Sequence, residues 1–376
     1  MSEVVDLLCK LVALASVTPQ SGEPDETHGE ARIVGFLMGL FVRQGIDVER
    51  QEVWPGRANV LARVEGRGGP SLIFEAHTDT VEVANMEIEP FSPQVRDGKV
   101  FGRGACDNKA SLAAMITALQ SVTGRGLPPG DITLAATCDE EYRASGVRYL
   151  TDHGFRADGG VVGEPTKLKL VIAHKGALRL QIVTRGRAAH SSEPEKGESA
   201  IFHMARVVSA LEEYGKTLSL REKHPLVQGP TVSVGLISGG QAPNIVPDRC
   251  EIVVDRRMVP GEKAEVVEGE LRQWLADRLA GVPWEMKVLL RGEGMEAAPD
   301  SPIVRRCAGA LDRVLGSHVV TGVPFGTDAS RLSAAGTPSV VLGPGDIAQA
   351  HTALEWVAIE QVEAAVRVYE QIMSEP

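Results

Sequence analysis

Apolar positions recur at helical spacing near 2–15 and 29–44, and short Val/Leu/Ile-rich runs bounded by Gly and Pro follow at 58–64 and 71–76. The pattern then predicts a small-residue helix over 109–122 (KASLAAMITALQSV), an apolar strand over 132–137 and another over 160–163. Strands alternating with helices predict an α/β fold with a mainly parallel sheet covered on both faces. From about Lys175 the rhythm changes. Alternating strands LRLQIVT (178–184), TVSVGLI (231–237) and CEIVVDRR (250–257) come with helices only near 199–213 and 262–279. That is an α+β pattern, an antiparallel sheet with helices on one face. After 292 the first style returns, with a helix at 302–315, a buried strand at 337–343 and a final helix at 358–373. The economical organisation is an α/β domain, 1–175 and 293–376, interrupted by an inserted α+β domain, 176–292. GEP (22–24) and GRGLPPGD (124–131) read as turns.

Composition narrows the function classes. A chain of 376 residues exceeds what a single core usually supports, and 43% hydrophobic against 24% charged residues excludes disorder. Lys and Arg number 39 against 50 Asp and Glu, a formal charge of −11 that argues against nucleic acid as a partner. The five cysteines (Cys9, Cys106, Cys138, Cys250, Cys307) contain no C-x-x-C, so neither a disulfide framework nor a thiolate zinc site is expected, and a reducing, cytoplasmic setting fits. Asp6 and Lys10 interrupt the apolar amino terminus, unlike a signal peptide, and no run approaches a membrane span.

Candidate chemistry gathers at predicted strand ends. FEAHTDT (74–80) runs an apolar strand into His77 and Asp79, where the carboxylate could accept from one imidazole nitrogen and leave the other for a metal. Taken alone, this pair is better explained by a solvated turn. GRGACDNKAS (102–111) places Asp107 just before a helix, where capping is the ordinary role. TCDEEY (137–142) ends a strand with Asp139, Glu140 and Glu141, adjacent acids that repel and need a cation or solvent to compensate them. VVGEPT (161–166) offers Glu164, and QAHTALEW (349–356) offers His351. Together His77, Asp107, Glu141, Glu164 and His351 form an oxygen- and nitrogen-rich set suited to two divalent ions, one carboxylate bridging, as in two-metal hydrolases.

H-x-D, G-R-G-x-x-D-x-K, D-E-E, G-E-P-T and G-P-G…A-H-T occur in that order between about 70 and 355. This set resembles the two-zinc family of aminoacylases, acetylornithine deacetylases, succinyl-diaminopimelate desuccinylases and glutamate carboxypeptidases. The resemblance implies a zinc-binding α/β domain with an inserted lid that forms a homodimer. It further implies His77 and Glu164 on one zinc, Glu141 and His351 on the other, and Asp107 bridging, with cobalt or manganese as alternative metals. Asp79 would orient His77, and Glu140 would be the general base. GRAAHSSEPEKGESAI (186–201) resembles the segment whose histidine, here His190, reaches the partner subunit's site; a surface histidine is the plain alternative. APNIVPD (242–248) and DRRMVPGE (255–262) resemble lid segments holding a substrate carboxylate, pointing to Asn244 and Arg257, although Arg257 also suits a sheet-edge surface charge. GTDA (326–329) resembles a substrate-facing loop and implicates Gly326 and Thr327.

Three positions depart from the family pattern: Ala110 after Lys109, Tyr142 after the acidic pair, and Leu354 three positions after His351, where an acid is common. The expected activity is zinc-dependent hydrolysis of an amide bond in a small N-acyl amino acid, nearest to acetylornithine deacetylase or succinyl-diaminopimelate desuccinylase. A metallo-carboxypeptidase or dipeptidase acting on short peptides is the alternative, and an inactive binding homologue is the alternative from another class. The Gly-rich 102–111 segment lacks the G-x-x-x-x-G-K-[ST] spacing of a phosphate loop.

Overall fold

The computed structural model describes residues 2–19, 25 and 28–375; the GEP turn expected at 22–24 lies outside them. In chain order the elements are α1 (Glu3–Val12), α2 (Ala31–Arg43), β1 (Asp47–Trp54), β2 (Arg57–Val64), β3 (Gly69–His77), β4 (Gln94–Arg96), β5 (Lys99–Phe101), α3 (Lys109–Gly124), β6 (Gly130–Thr137), α4 (Ser145–Asp152), β7 (Gly159–Val162) and β8 (Leu170–His174). Then come β9 (Gly176–Arg185), α5 (Ala200–Ser219), β10 (Thr231–Gly239), β11 (Arg249–Met258), α6 (Ala264–Arg278), β12 (Trp284–Gly292) and β13 (Met295–Glu296). The chain closes with α7 (Pro302–Leu315), β14 (Val320–Val323), α8 (Ala329–Ala334), β15 (Ser339–Val341), β16 (Trp356–Ala358) and α9 (Ile359–Ser374).

The chain divides into two compact units, one of residues 1–172, 297–321 and 327–376, the other of 173–296 and 322–326. Segment 322–326 lies in the smaller unit because Lys175 N–H donates to the Val323 carbonyl and Gly322 packs against Leu226 and Val227.

In the larger unit the sheet order is β1-β2-β6-β3-β7-β15-β8. Its centre is parallel: β3 pairs in parallel with β6 and β7, and β15 with β7, whereas β1, β2 and β8 join antiparallel. The central strands are buried along their length because helices cover them, which is why they read as continuous apolar runs. The register sets His77 opposite Thr137 and Glu75 opposite Val162, so β6, β3 and β7 end side by side. His77, the turn 138–141 and Glu164 therefore emerge together at the carboxyl ends, where ligands bind in such sheets. Helix α3 is buried nearly all round, and Phe74 of β3 meets Tyr369 of α9 edge-on at 5.9 Å. Backbones approach so closely here that a Cβ on Gly163 would stand 2.5 Å from Ser111 Cβ, and one on Gly343 2.6 Å from Ser111 Oγ.

The smaller unit carries a four-stranded antiparallel sheet, β10-β11-β9-β12. Strand β11 alternates strictly between buried and less buried residues. Leu178, Leu180, Ile182, Ile252 and Val254 pack with Met204, Val207 and Leu211 of α5 and Leu271 and Leu275 of α6. Trp284–Gly292 adds a strand to the pattern expected there, and Arg257 stands on an interior strand, not at the sheet edge.

Candidate metal centre

The structure brings His77, Asp79, Asp107, Glu140, Glu141, Glu164 and His351 into one site of the larger unit. One ligand atom each from His77, Asp107 and Glu141 lies within 4.8 Å of the others. Asp107 has two faces: Oδ1 is 3.1 Å from His77 Nε2, and Oδ2 is 3.3 Å from His351 Nε2. Glu164 Oε1 stands 4.0 Å from His77 Nε2, and Glu141 Oε1 stands 2.9 Å from His351 Nε2. Each imidazole thus shares Asp107 and has a second carboxylate of its own. His351 holds this place from a left-handed backbone conformation, φ 61°.

The surroundings fix these groups. Asp107 caps nothing: α3 begins after Asn108, and no side-chain cap closes it. Instead the Asp107 and Cys106 amides donate to Glu355 Oε1 at 3.0 and 2.9 Å, while Arg103 Nη1 donates to Glu355 Oε2 at 2.6 Å. Glu355 is within reach because β16, which follows it, pairs with β5. Sequence reading missed Glu355; attention fell on the preceding Leu354, which is exposed. Asp79 also does more than expected. His77 Nδ1 lies closest to the Asp79 carbonyl, at 3.0 Å, with carboxylate Oδ1 at 3.6 Å. The Asp79 carboxylate accepts from the Thr18 hydroxyl and from the amides of Glu140 and Glu141, at 3.0 and 3.1 Å.

Charge in the site is lopsided. Burial opposes a charge on His77, but hydrogen bonds and charges from Asp107 and Asp79 outweigh it and hold the ring well above the ordinary histidine value. Hydrogen bonds to Asp107 and Glu141 hold His351 at about 10. Burial raises Asp107, and the bonds from His351 and His77 more than reverse that. Glu140 and Glu164 are pushed well above the carboxylate range by burial, with neighbouring carboxylates adding to it. Nearby Asp328 is buried with neither oxygen hydrogen-bonded, and burial, helped by Glu75, raises it too. Carboxyls outnumber imidazoles, and the missing positive charge is what divalent cations would supply. Oxygen and imidazole donors without thiolate fit zinc, cobalt or manganese, and the two-faced Asp107 fits a bridge.

The remaining expected residues belong elsewhere. Thr327 is buried at the start of α8, where its hydroxyl accepts from Ala329 N–H at 3.3 Å. Gly326, His190, Asn244 and Arg257 belong to the smaller unit. His190 bridges Ile245, and Ser191 N–H donates to the Asn244 carbonyl at 3.0 Å, which brings the two exposed residues together. Arg257 Nε donates to Asp255 Oδ1 at 2.7 Å.

Residues 73–375 match the model of peptidase family M20/M25/M40. The chain belongs to this family. It is 30% identical over 377 residues to an acetylornithine deacetylase of Vibrio vulnificus, covering 98% of this chain and 97% of the relative. An M20 family metallo-carboxypeptidase from Sulfolobus solfataricus shares the fold with TM-score 0.85 at 19% identity, covering 100% of this chain and 99% of the other. A dinuclear metal-binding M20 peptidase from Bacillus subtilis does so with TM-score 0.72 at 17% identity, covering 99% and 96%. As an M20 family member the protein is a hydrolase of amide bonds, and His77, Asp107 and Glu141 form a candidate metal site in it.

Proposed function

We propose that the protein is a zinc-dependent deacylase that removes an N-acyl group from an α-amino acid, with acetylornithine-like or succinyl-diaminopimelate-like substrates first in line. The observation that carries the reading is the two-faced Asp107, with a histidine on each oxygen and a separate carboxylate beside each histidine. Relatives matched over nearly the whole chain and named acetylornithine deacetylase support this branch.

In this reading His77 and Glu164 would hold one ion and Glu141 and His351 the other, with Asp107 shared between them. Bound zinc would acidify a water and polarise the scissile carbonyl. Glu140, which is not a ligand, accepts the proton of the attacking water and returns it to the leaving nitrogen. Asp79 orients His77 and, through the Glu140 amide, the base itself. Asn244 and Arg257 hold the substrate carboxylate, and Gly326 and Thr327 face the substrate. His190 serves the partner's site in a homodimer, stabilising the developing oxyanion.

Dimerisation through the smaller unit is supported by its edge. Strand β10 ends the sheet with Leu236 68% and Ile237 63% exposed, and Phe202 of α5 is 73% exposed. Bare apolar edges are normally protected or paired. A cytoplasmic setting is supported by five free thiols, and no helix among the described residues is long and apolar enough to cross a membrane.

The test is a panel of N-acetyl amino acids, N-succinyl amino acids and dipeptides offered to zinc-loaded protein. Fastest turnover on an N-acyl amino acid is expected. Preference for dipeptides or C-terminal cleavage moves the reading to a peptidase, and no turnover with both ions bound leaves the inactive homologue.

A further inference from the structure

The turn that carries Glu140 and Glu141 begins at Asp139, whose φ of 64° lies in the left-handed region that non-glycine residues rarely occupy. Something must hold it there. The Asp139 side chain is only 1% exposed and commits both oxygens: Oδ1 accepts from Arg57 Nη1 at 2.8 Å, and Oδ2 from the Ser145 hydroxyl at 2.5 Å. Its amide donates to Glu30 Oε1 at 3.2 Å, and its carbonyl accepts from Ala144 N–H at 2.7 Å.

Arg57 and Glu30 are themselves buried and joined as a fork. Arg57 Nε donates to Glu30 Oε2 at 2.7 Å, and Nη2 to Glu30 Oε1. Glu30 immediately precedes α2, and Arg57 opens β2, so the pair ties two rigid elements to the acidic turn. The Asp79 carboxylate takes the two following amides, Glu140 and Glu141. The turn is thus gripped at three successive residues. Removing one partner of a buried pair leaves uncompensated charge, whereas the pair as a whole adds little stability over apolar packing. The arrangement is therefore poorly explained as a simple fold stabiliser and well explained as a fixture for whatever the turn presents.

We infer that Glu30 and Arg57 are positioning residues, a buried clamp that holds Asp139 and thereby aims both the base Glu140 and the ligand Glu141. The inference rests on the hydrolase reading for its kinetic consequence and on the metal centre for its binding consequence.

The experiment uses Arg57→Lys, which keeps the charge but cannot make the three-point fork, and Glu30→Gln, in the full chain. Turnover should fall by roughly 10- to 100-fold with KM within about threefold, since a small displacement of a reacting group costs this much. Calorimetric titration of metal-free protein with zinc should show one of two equivalents weakened by about tenfold, the usual cost of losing a partner behind a ligand. A merely stabilising role would lower the melting temperature and leave both readouts of the folded protein unchanged. If both variants keep turnover and both zinc affinities within about twofold of wild type, the clamp has no positioning role. Should Arg57→Lys not fold, Asp139→Asn leaves the Arg57–Glu30 pair intact, loosens only the turn and carries the same expectations. Wild-type protein that hydrolyses nothing would fail the proposed function alone, because the zinc titration still reads the aim of Glu141.

Discussion

His77 and Asp79 at the end of β3 and Asp107 just ahead of α3 are buried, and named partners commit their polar atoms before any ligand arrives. His190 and Asn244 stand exposed on the smaller unit. Apart from the His190 bridge to Ile245, their polar contacts lie within three residues or on the facing backbone: His190 Nδ1 meets Ser192 Oγ at 2.7 Å, and Asn244 offers its carbonyl to Ser191. The first group is preorganised, so binding and chemistry need no further ordering there. The second is solvated, so the roles proposed for it require another surface to meet it. Substitutions should separate the two groups by what is lost.

Asp107→Ala should have the largest effect. Both histidines lose their shared carboxylate, so zinc content should drop at both sites and turnover should vanish; His77→Ala should deplete mainly one. Metal analysis after dialysis reads this, and retention of two ions by Asp107→Ala would break the bridging assignment. Glu140→Ala should lower turnover by roughly 10² to 10⁴-fold while two ions remain bound. Loss of an ion instead would mean that Glu140 and Glu141 have exchanged roles.

His190→Ala should cost about 10² to 10³-fold in turnover with zinc affinity intact, the scale of one lost oxyanion donor. Mixing it with Glu140→Ala sharpens the comparison. Random exchange makes half the dimers hybrids with one competent site of two, so recovery to about a quarter of wild type is expected. No recovery, with exchange confirmed by tagged chains, would place His190 in its own chain's chemistry or on an idle surface.

The smallest effect is on pH dependence of the metal-free protein. His351 is raised to about 10 when folded, so its contribution to stability is complete below the unfolded value near 6.5 and is lost as pH rises through 10. Asp107 is lowered, so its contribution is present above about 4 and is lost in acid. Melting temperature in chelator should therefore fall from pH 7 to 10, and His351→Ala should flatten that slope. His351 is half exposed, so solvent keeps the change modest.

Much of this was legible because His77, Glu140, Glu141 and Glu164 sit in compact motifs at the end of apolar runs, as His77 does after SLIFEA. Strands β2, β3, β6 and β7 announce themselves by being buried on both faces. Strand β1, DVERQEVW, does not, since it is solvated on both faces and its sequence is mostly polar. Strand β12 hides behind an alternation broken by a register shift between Val288 and Leu290. The supporting shell was illegible for a different reason. Glu30 and Arg57 are separated by 82 residues or more from the turn they serve in the case of Arg57, and by 109 in that of Glu30, and nothing local marks either. The need for a cation beside Asp139 could be read from three adjacent acids; which cation could not.

Ser111 on α3 bears directly on how this enzyme can change over evolutionary time. Gly163 precedes the proposed ligand Glu164 and Gly343 runs against the Glu164 backbone, and neither has room for one added methyl. Neutral drift is closed at these positions, because a single alanine would push a ligand-bearing strand end away from its helix. The exposed segments around residues 190 and 244 carry no such constraint, so change can accumulate there while the packing behind Glu164 is inherited unchanged.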